Sequence, residues 1–258
     1  MYVDTHTHLF TDAFDEDRDI VVQRAIDAGI EYLLLPNIDG ETIEAMHQLE
    51  KAYPNNCYAM MGLHPGSVKE NWEEELAKVK AHLFSRKYVA VGEIGMDLYW
   101  DTTFIEEQRQ AFRQQVSWAK ELQIPIAIHA RDAFDEIFTI LDEMNDDRLT
   151  GVFHCFTGNL EQARHVASYG GFKMGIGGVV TYKKAAMDQV LTHVDLKHLI
   201  LETDSPYLSP VPFRGKRNES SYVIHIAEKL SDIYGIPLKE IEEVTTKNAF
   251  ELFNLTAK

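Results

Sequence analysis

Six side chains scattered along the sequence could together hold divalent cations: His6, His8, Glu93, His129, His154 and Asp204. The first pair is the most telling. Val3-Asp4-Thr5-His6-Thr7-His8 reads as a short β-type run. Side chains at i and i+2 of an extended strand share a face, so both imidazoles can address one ion. Imidazole is the commonest protein ligand for first-row transition metals. Four imidazoles and two carboxylates suit two divalent cations, and Glu93 falls between the two groups as a possible bridge. A pair of cations lowers the pKa of a water between them and makes it a nucleophile at neutral pH, so the chemistry on offer is hydrolysis. Each residue alone has an ordinary reading. A histidine at a strand end is commonly a hydrogen-bonded structural residue, Glu93 could be satisfied by loop amides, and Asp204 could cap a turn before Ser205-Pro206. The joint pattern carries the reading: His-x-His on the first strand, and a donor ending four later units.

The elements that must position these donors follow from hydrophobic patterning. Short apolar runs at residues 31–36, 58–63, 89–91, 125–128, 151–153, 172–176 and 199–201 read as strands, after the opening run. Between them, residues 16–28, 41–53, 72–84, 104–122, 160–169 and 183–193 read as helices, and Asp132 should open a further helix that reaches Met144. Residues 222–255 are helical, with a break near Gly235-Ile236-Pro237. Continuous apolar strands alternating with helices mark an α/β chain with a parallel sheet, either a closed eight-stranded barrel or a doubly wound open sheet. No Gly-rich nucleotide turn follows the first strand. In a barrel the carboxyl ends of all strands meet around one axis, which would gather the six donors. With 258 residues and no break in composition, residues 1–258 are expected to form a single domain.

The formal net charge of −16 disfavours a broad groove gripping duplex DNA by phosphate neutralisation. It leaves open phosphate chemistry at a small site, where two cations would reverse the local field. Two cysteines, Cys57 and Cys155, fit a reduced compartment. On a strand, Cys155 would face away from its neighbour His154 and serve as buried filler. No apolar run is long enough for a membrane span, and the first residues lack the basic and apolar regions of a signal peptide, so cytoplasmic residence is expected.

The motifs resemble the TatD family of metal-dependent deoxyribonucleases, within the amidohydrolase-like superfamily. They are Asp4-Thr5-His6-Thr7-His8, Gly62-Leu63-His64-Pro65, Gly92-Glu93-Ile94-Gly95-Met96-Asp97 and Ile128-His129-Ala130-Arg131. Phe153-His154-Cys155-Phe156-Thr157-Gly158, Leu201-Glu202-Thr203-Asp204-Ser205-Pro206-Tyr207-Leu208 and Arg214-Gly215-Lys216-Arg217-Asn218 complete the series. They run in order over nearly the whole chain. One position departs: the family usually has Pro after Asn-Glu, and Ser220 follows Asn218-Glu219 here. The resemblance implies a distorted TIM (β/α)8 barrel with two divalent metal ions. His6, His8, Glu93 and Asp204 would hold one ion, and Glu93, His129 and His154 the other. It implies a 3′-to-5′ exonuclease or related phosphodiesterase acting on a DNA or oligonucleotide end, or on RNA, usually with magnesium. No membrane and no obligate protein partner is implied. The imidazole-rich set by itself favours zinc, manganese, iron or nickel over magnesium, so Mg2+, Mn2+ and Zn2+ all stay open.

Within that reading, a metal-bridged hydroxide attacks phosphorus in line, with Asp204 holding the water and taking its proton and Glu93 beside it. His64 and Arg131 are the candidate phosphate contacts, Arg131 through its planar donor fork; an ion pair with Asp132 or Asp135 is the plainer use of that arginine. Tyr207 and Arg214 could touch sugar or base, or simply pack their loop. Glu202 and Asp97 could orient ligands. Lys216 and Arg217 make a small basic spot, suited to steering nucleic acid or to a solvated loop. Two rival readings stand beside the nuclease. One is an amidohydrolase-type C–N or ester hydrolase, although no lysine occupies the bridging position of Glu93. The other is a non-catalytic metal- or nucleic-acid-binding protein.

Overall fold

The computed structural model describes residues 1–256. Strand and helix alternate from the start: β1 (Tyr2–Asp4), α1 (Arg18–Asp27), β2 (Ile30–Pro36), α2 (Ile43–Ala52), β3 (Cys57–Met60), α3 (Trp72–Leu83), β4 (Val91–Asp97) and α4 (Ile105–Leu122). The second half continues with β5 (Ile126–Arg131), α5 (Phe134–Met144), β6 (Gly151–Phe153), α6 (Leu160–Ser168), β7 (Phe172–Ile176), α7 (Met187–Leu191), β8 (Leu199–Leu201), α8 (Val223–Tyr234) and α9 (Leu238–Phe253). All strand pairs are parallel and follow chain order, β1-β2-β3 in one ladder and β4 to β8 in the other. Backbone bonds outside the two ladders bridge the seams. Val89 N–H donates to Ala59 O at 3.1 Å and Met61 N–H to Ala90 O at 3.2 Å, while Thr5 N–H donates to Leu201 O at 3.0 Å. The architecture is a distorted (β/α)8 barrel, uneven where β3 meets β4 and where β8 meets β1.

Alternation along the strands sorts the apolar side chains into two clusters. Leu33 and Leu35 of β2 join the large cluster shared with the helices, whereas Tyr32 and Leu34 join a smaller one. That smaller cluster takes Val3, Met60, Ala127, Val152 and Ile200 from other strands, together with Leu252 and Phe253 of α9. It fills the barrel interior, with α9 closing the end away from the site. Adding two residues to an interior position gives the next side chain on the same face. Ala127 thus leads to His129, Val152 to His154, and Ile200 to Glu202, so the apolar interior passes directly into the donor residues.

Three local expectations are corrected. Asp132 does not cap α5: it sits at φ 51°, and Ala133 occupies the N-cap with no side-chain bond. The segment 183–193 is not one helix; a 3-10 turn at Lys183–Ala185 is cut off by Ala186 at φ 51°, leaving only α7. The fourth strand starts at Val91 and runs through Glu93 to Asp97, beyond the 89–91 run read from the apolar residues. Among the described residues no helix is long and apolar enough to cross a membrane.

Candidate metal centre

The six donors arrive on or just beyond five strands, β1, β4, β5, β6 and β8. β1 stops at Asp4, so His6 and His8 lie just beyond it. Their Nε2 atoms nevertheless come within 3.2 Å of each other. Asp4 fixes this stretch: its carboxylate accepts from Thr203 N at 2.9 Å and Thr203 Oγ1 at 2.6 Å, tying the end of β1 to the loop after β8. Asp204, one residue on, donates its N–H to His6 O at 2.9 Å and holds φ 57°, a left-handed conformation that Asp tolerates better than most residues. Ser220, where the resemblance leads one to expect Pro, is fully buried and its Oγ donates to Thr7 Oγ1 at 3.1 Å. Its effect is therefore on the support beneath the histidine pair.

Glu93 stands at the centre. The pairing of β4 with β5 shifts register between Val91 and Ile94. Such an irregularity re-aims a side chain out of simple alternation. Its two oxygens face two donor sets. Oε2 lies 3.1 Å from His6 Nε2 and 3.5 Å from His8 Nε2. Oε1 lies 2.9 Å from His129 Nδ1, 3.4 Å from His154 Nε2 and 3.5 Å from His64 Nε2. Asp204 Oδ1 joins the first set, 3.5 Å from His8 Nε2 and 3.8 Å from His6 Nε2.

Hydrogen bonds on the far sides of the rings assign the tautomers. His154 Nδ1 faces Glu202 Oε1 at 3.0 Å, which makes Nδ1 the donor and turns the Nε2 lone pair toward Glu93. His129 uses the opposite nitrogen: Nε2 donates to Asp97 Oδ2 at 2.9 Å, leaving Nδ1 toward Glu93. His64 differs. Its Nδ1 accepts Gly66 N–H at 2.9 Å, so Nε2 carries the proton and acts as a donor. The sequence places His64 among phosphate contacts; the fold sets it at the rim of the donor cluster with a nitrogen suited to donate to phosphate.

The set fits a cation on its own chemistry. A lone pair on His129 Nδ1 at 2.9 Å from a carboxylate oxygen needs a positive charge between them, a proton or a metal ion. The buried Nδ1 atoms of His6 and His8 and Oε2 of Glu202 have no hydrogen-bond partner. Without metal, protons take up the strain. Burial opposes charge on His8 and His154, but the carboxylates outweigh it, pushing His8 up to about 9 through Asp204 and Glu93, and His154 up to about 10 through Glu202, Glu93 and Asp204. Burial would likewise raise Glu93, yet the imidazoles of His6, His64 and His154 hold it well below the usual carboxylate range.

The remaining candidates lie around the mouth. Tyr207 is 55% exposed with its ring 6.4 Å from that of His8. Arg131 lies with its guanidinium 4.0 Å from the Tyr99 ring, and Arg214 with its own 4.4 Å from the Tyr182 ring. Arg217 is a structural residue: it binds both carboxylate oxygens of Asp17 and the Ala13 carbonyl. Cys155 is half-buried at φ 45°, outside any strand, with its N–H donated to Glu202 Oε1, so strand alternation does not turn it away from the site. Sequence reading alone missed the supporting roles of Asp4, Ser220 and Asn218. Asn218 Nδ2 donates to Thr203 O at 2.8 Å and Tyr207 O at 2.6 Å, and its place in the Arg-Gly-Lys-Arg-Asn motif was the available signal.

Comparison with known proteins identifies the family. The family model of TatD related DNases matches residues 3–254. The chain is 38% identical to a Bacillus subtilis (strain 168) protein named uncharacterized metal-dependent hydrolase YabD, over 99% of this chain and 100% of that one. It is 31% identical to a 3′-5′ ssDNA/RNA exonuclease TatD of Pectobacterium parmentieri (strain WPP163), over 98% of this chain and 99% of the other. Among solved structures, YjjV, a TatD homolog from Escherichia coli K12, superposes with a TM-score of 0.92 at 32% identity, covering 99% of this chain and 98% of its own. A matching family model over almost the full length, relatives above 30% identity, and a cation-ready cluster at the barrel mouth lead to one conclusion: the chain belongs to the TatD family of metal-dependent hydrolases.

Proposed function

We propose that this hydrolase cleaves phosphodiesters, removing nucleotides from the 3′ end of single-stranded DNA or RNA, with two divalent cations. The observation that carries the reading is the division of Glu93 between two donor sets, Oε2 toward His6 and His8, Oε1 toward His129 and His154. His6, His8, Glu93 and Asp204 would hold one ion, and Glu93, His129 and His154 the other; Mg2+, Mn2+ and Zn2+ are the candidates. When bound, such a pair polarises a phosphoryl group and acidifies water.

The chain's own residues do the rest. Asp204, with 13% of its side chain exposed, reaches solvent at the mouth and keeps a carboxylate beside the histidine pair. Burial opposes its charge, but His154, His8 and His6 hold its pKa below the usual range, so it is ionised and able to orient a water and accept its proton. His64 Nε2–H and the N–H edge of Arg131 donate to non-bridging phosphate oxygens. Asp97 and Glu202 keep His129 and His154 in the tautomers that leave their inner nitrogens free. Support for nucleic acid comes from the relatives named ssDNA/RNA exonucleases.

The test is hydrolysis of 3′-labelled and 5′-labelled single-stranded DNA and RNA by metal-loaded protein, beside a panel of amides and lactones. Loss of single nucleotides from the 3′ end is expected. Turnover of an amide or lactone with no attack on either nucleic acid would move the chain to the amidohydrolase alternative. Asp204→Asn is expected to lower kcat by at least ~100-fold while part of the metal stays bound. Near-normal turnover in that variant would remove Asp204 from this role.

A further inference from the structure

The loop after β4 carries two large aromatic side chains in the open. Trp100 is 77% exposed and Tyr99 52%. Large exposed hydrophobic residues are otherwise few among the described residues: Met1, Ile20, Phe84, Tyr207, Leu208 and Val211. Five of this set of eight, Tyr99, Trp100, Tyr207, Leu208 and Val211, sit in the loops after β4 and β8, both at the end of the barrel where the donors converge. Scattered exposed apolar residues need no explanation, but a concentration beside a polar site does.

The Trp100 surface is built and held. Its ring meets Tyr99 edge to face, with centroids 4.6 Å apart and an interplanar angle of 89°. The Arg131 guanidinium lies 4.0 Å from the Tyr99 centroid and 5.3 Å from that of Trp100. Backbone N–H groups tie the loop to residues beside the donors: Leu98 N–H donates to Arg131 O at 2.9 Å, and Tyr99 N–H to Asp97 Oδ1 at 3.1 Å. Asp97 is the residue that orients His129, and Arg131 follows His129 by two positions on β5. Stacking engages the face of the guanidinium, and its N–H edge is the part that reads phosphate. A flat aromatic surface, a backing cation and a phosphate-binding edge in one place match the requirements of single-stranded nucleic acid, whose bases stack on aromatic rings while arginine follows the backbone. In a chain of net charge −16 this local cation matters more, because the remainder of the surface repels a polyanion.

We infer that Trp100, buttressed by Tyr99 and Arg131, is a stacking platform for a nucleobase of the single-stranded substrate. The inference rests on the nucleic-acid reading above and adds where, and through which part of the substrate, the strand is gripped. Stacking is tolerant of base identity, so the platform favours unpaired bases without choosing a sequence. In a duplex the bases are stacked on each other and their faces are not offered.

The test reads binding and needs no turnover. Fluorescence anisotropy gives the Kd of the full-length protein for a short labelled single-stranded oligonucleotide and for a twin with abasic sites near its 3′ end. The wild type is expected to prefer the base-bearing strand by on the order of 10-fold. Trp100→Ala is expected to abolish that preference, and Trp100→Phe to restore much of it. Because Trp100 is so exposed, folding is not at stake, and circular dichroism of each variant checks this. Equal affinity of the wild type for the two strands overturns the platform, as does a preference unchanged in Trp100→Ala. A preference lost in Trp100→Ala supports the platform even if neither strand is hydrolysed, in which case only the hydrolytic reading fails.

Discussion

Glu202 Oε1 lies 3.0 Å from Nδ1 of His154, and that contact decides which nitrogen of the imidazole addresses Glu93. Asp97 does the same for His129 through the opposite nitrogen. Carboxylates behind ligand histidines fix the tautomer and raise the basicity of the inner nitrogen.

Space for Glu202 depends on a missing side chain. A Cβ added at Gly175 would stand 2.1 Å from Glu202 Oε2. Glu202 is fully buried and also accepts Cys155 N–H, so it has no room to retreat without losing a bond. Gly175→Ala should therefore weaken metal binding by roughly 10- to 100-fold, although residue 175 touches no ion. Glu202→Gln keeps an acceptor for His154 and should be milder. Competition against a chelator of known affinity measures both. Wild-type affinity in Gly175→Ala would dissociate Glu202 from the metal centre.

Much of the centre was legible because alternation along a strand is a strict rule. Ala127 to His129 and Val152 to His154 continue the barrel interior by steps of two, and the strand ends could be read from apolar runs. The rule failed where the backbone leaves it. The irregular β4 carries Glu93 out of simple alternation, and His6 and His8 converge beyond the end of β1 instead of along it. Asp132 and Asp204 look alike in sequence as acidic residues after a strand, and both adopt positive φ. Only the convergence of other strands makes the second a candidate site residue. Asp4 and Ser220 could not be assigned their roles because their partners, Thr203 and Thr7, lie some two hundred residues away in the chain. The resemblance supplied the family and a candidate donor set; it did not distinguish the tautomers, which follow from partners seen only in the fold.

The metal-free centre stores protons. His8 is pushed up to about 9 and His154 to about 10, so both are charged at pH 7 without metal. A metal ligand must be a neutral imidazole. Loading should therefore release roughly two protons at pH 7, and metal affinity should climb as pH rises toward 9–10. For the metal-free chain the linkage has the opposite sign. Histidines raised above their ordinary value of 6.5 add stability that is complete below that pH and is lost as pH passes through about 9 and 10. Calorimetric titration with metal in buffers of different ionisation enthalpy counts the protons. A heat independent of buffer would show the two rings to be neutral before metal arrives.

Helix α4 reaches across to the site with two glutamines seven residues apart, about two turns and so on one face. Gln115 Oε1 accepts Leu63 N–H at 2.7 Å and its Nε2 donates to Leu63 O at 3.3 Å, clasping the residue before His64. Gln108 does likewise to Asp97, at 2.9 and 3.2 Å. Gln115 and Leu63 are almost wholly buried, whereas Asp97 is half-buried and water can replace part of its loss. Gln115→Met removes the side-chain amide at nearly constant volume, leaves the buried N–H and C=O of Leu63 unpaired, and should cost about 2–4 kcal/mol; Gln108→Met should cost about half as much. Urea denaturation of the chelated proteins gives both values free of any metal contribution. If Gln108→Met proved the more damaging, the clasp on Asp97 would matter more to stability than burial indicates, and α4 would support the β4 end of the site more than the His64 loop.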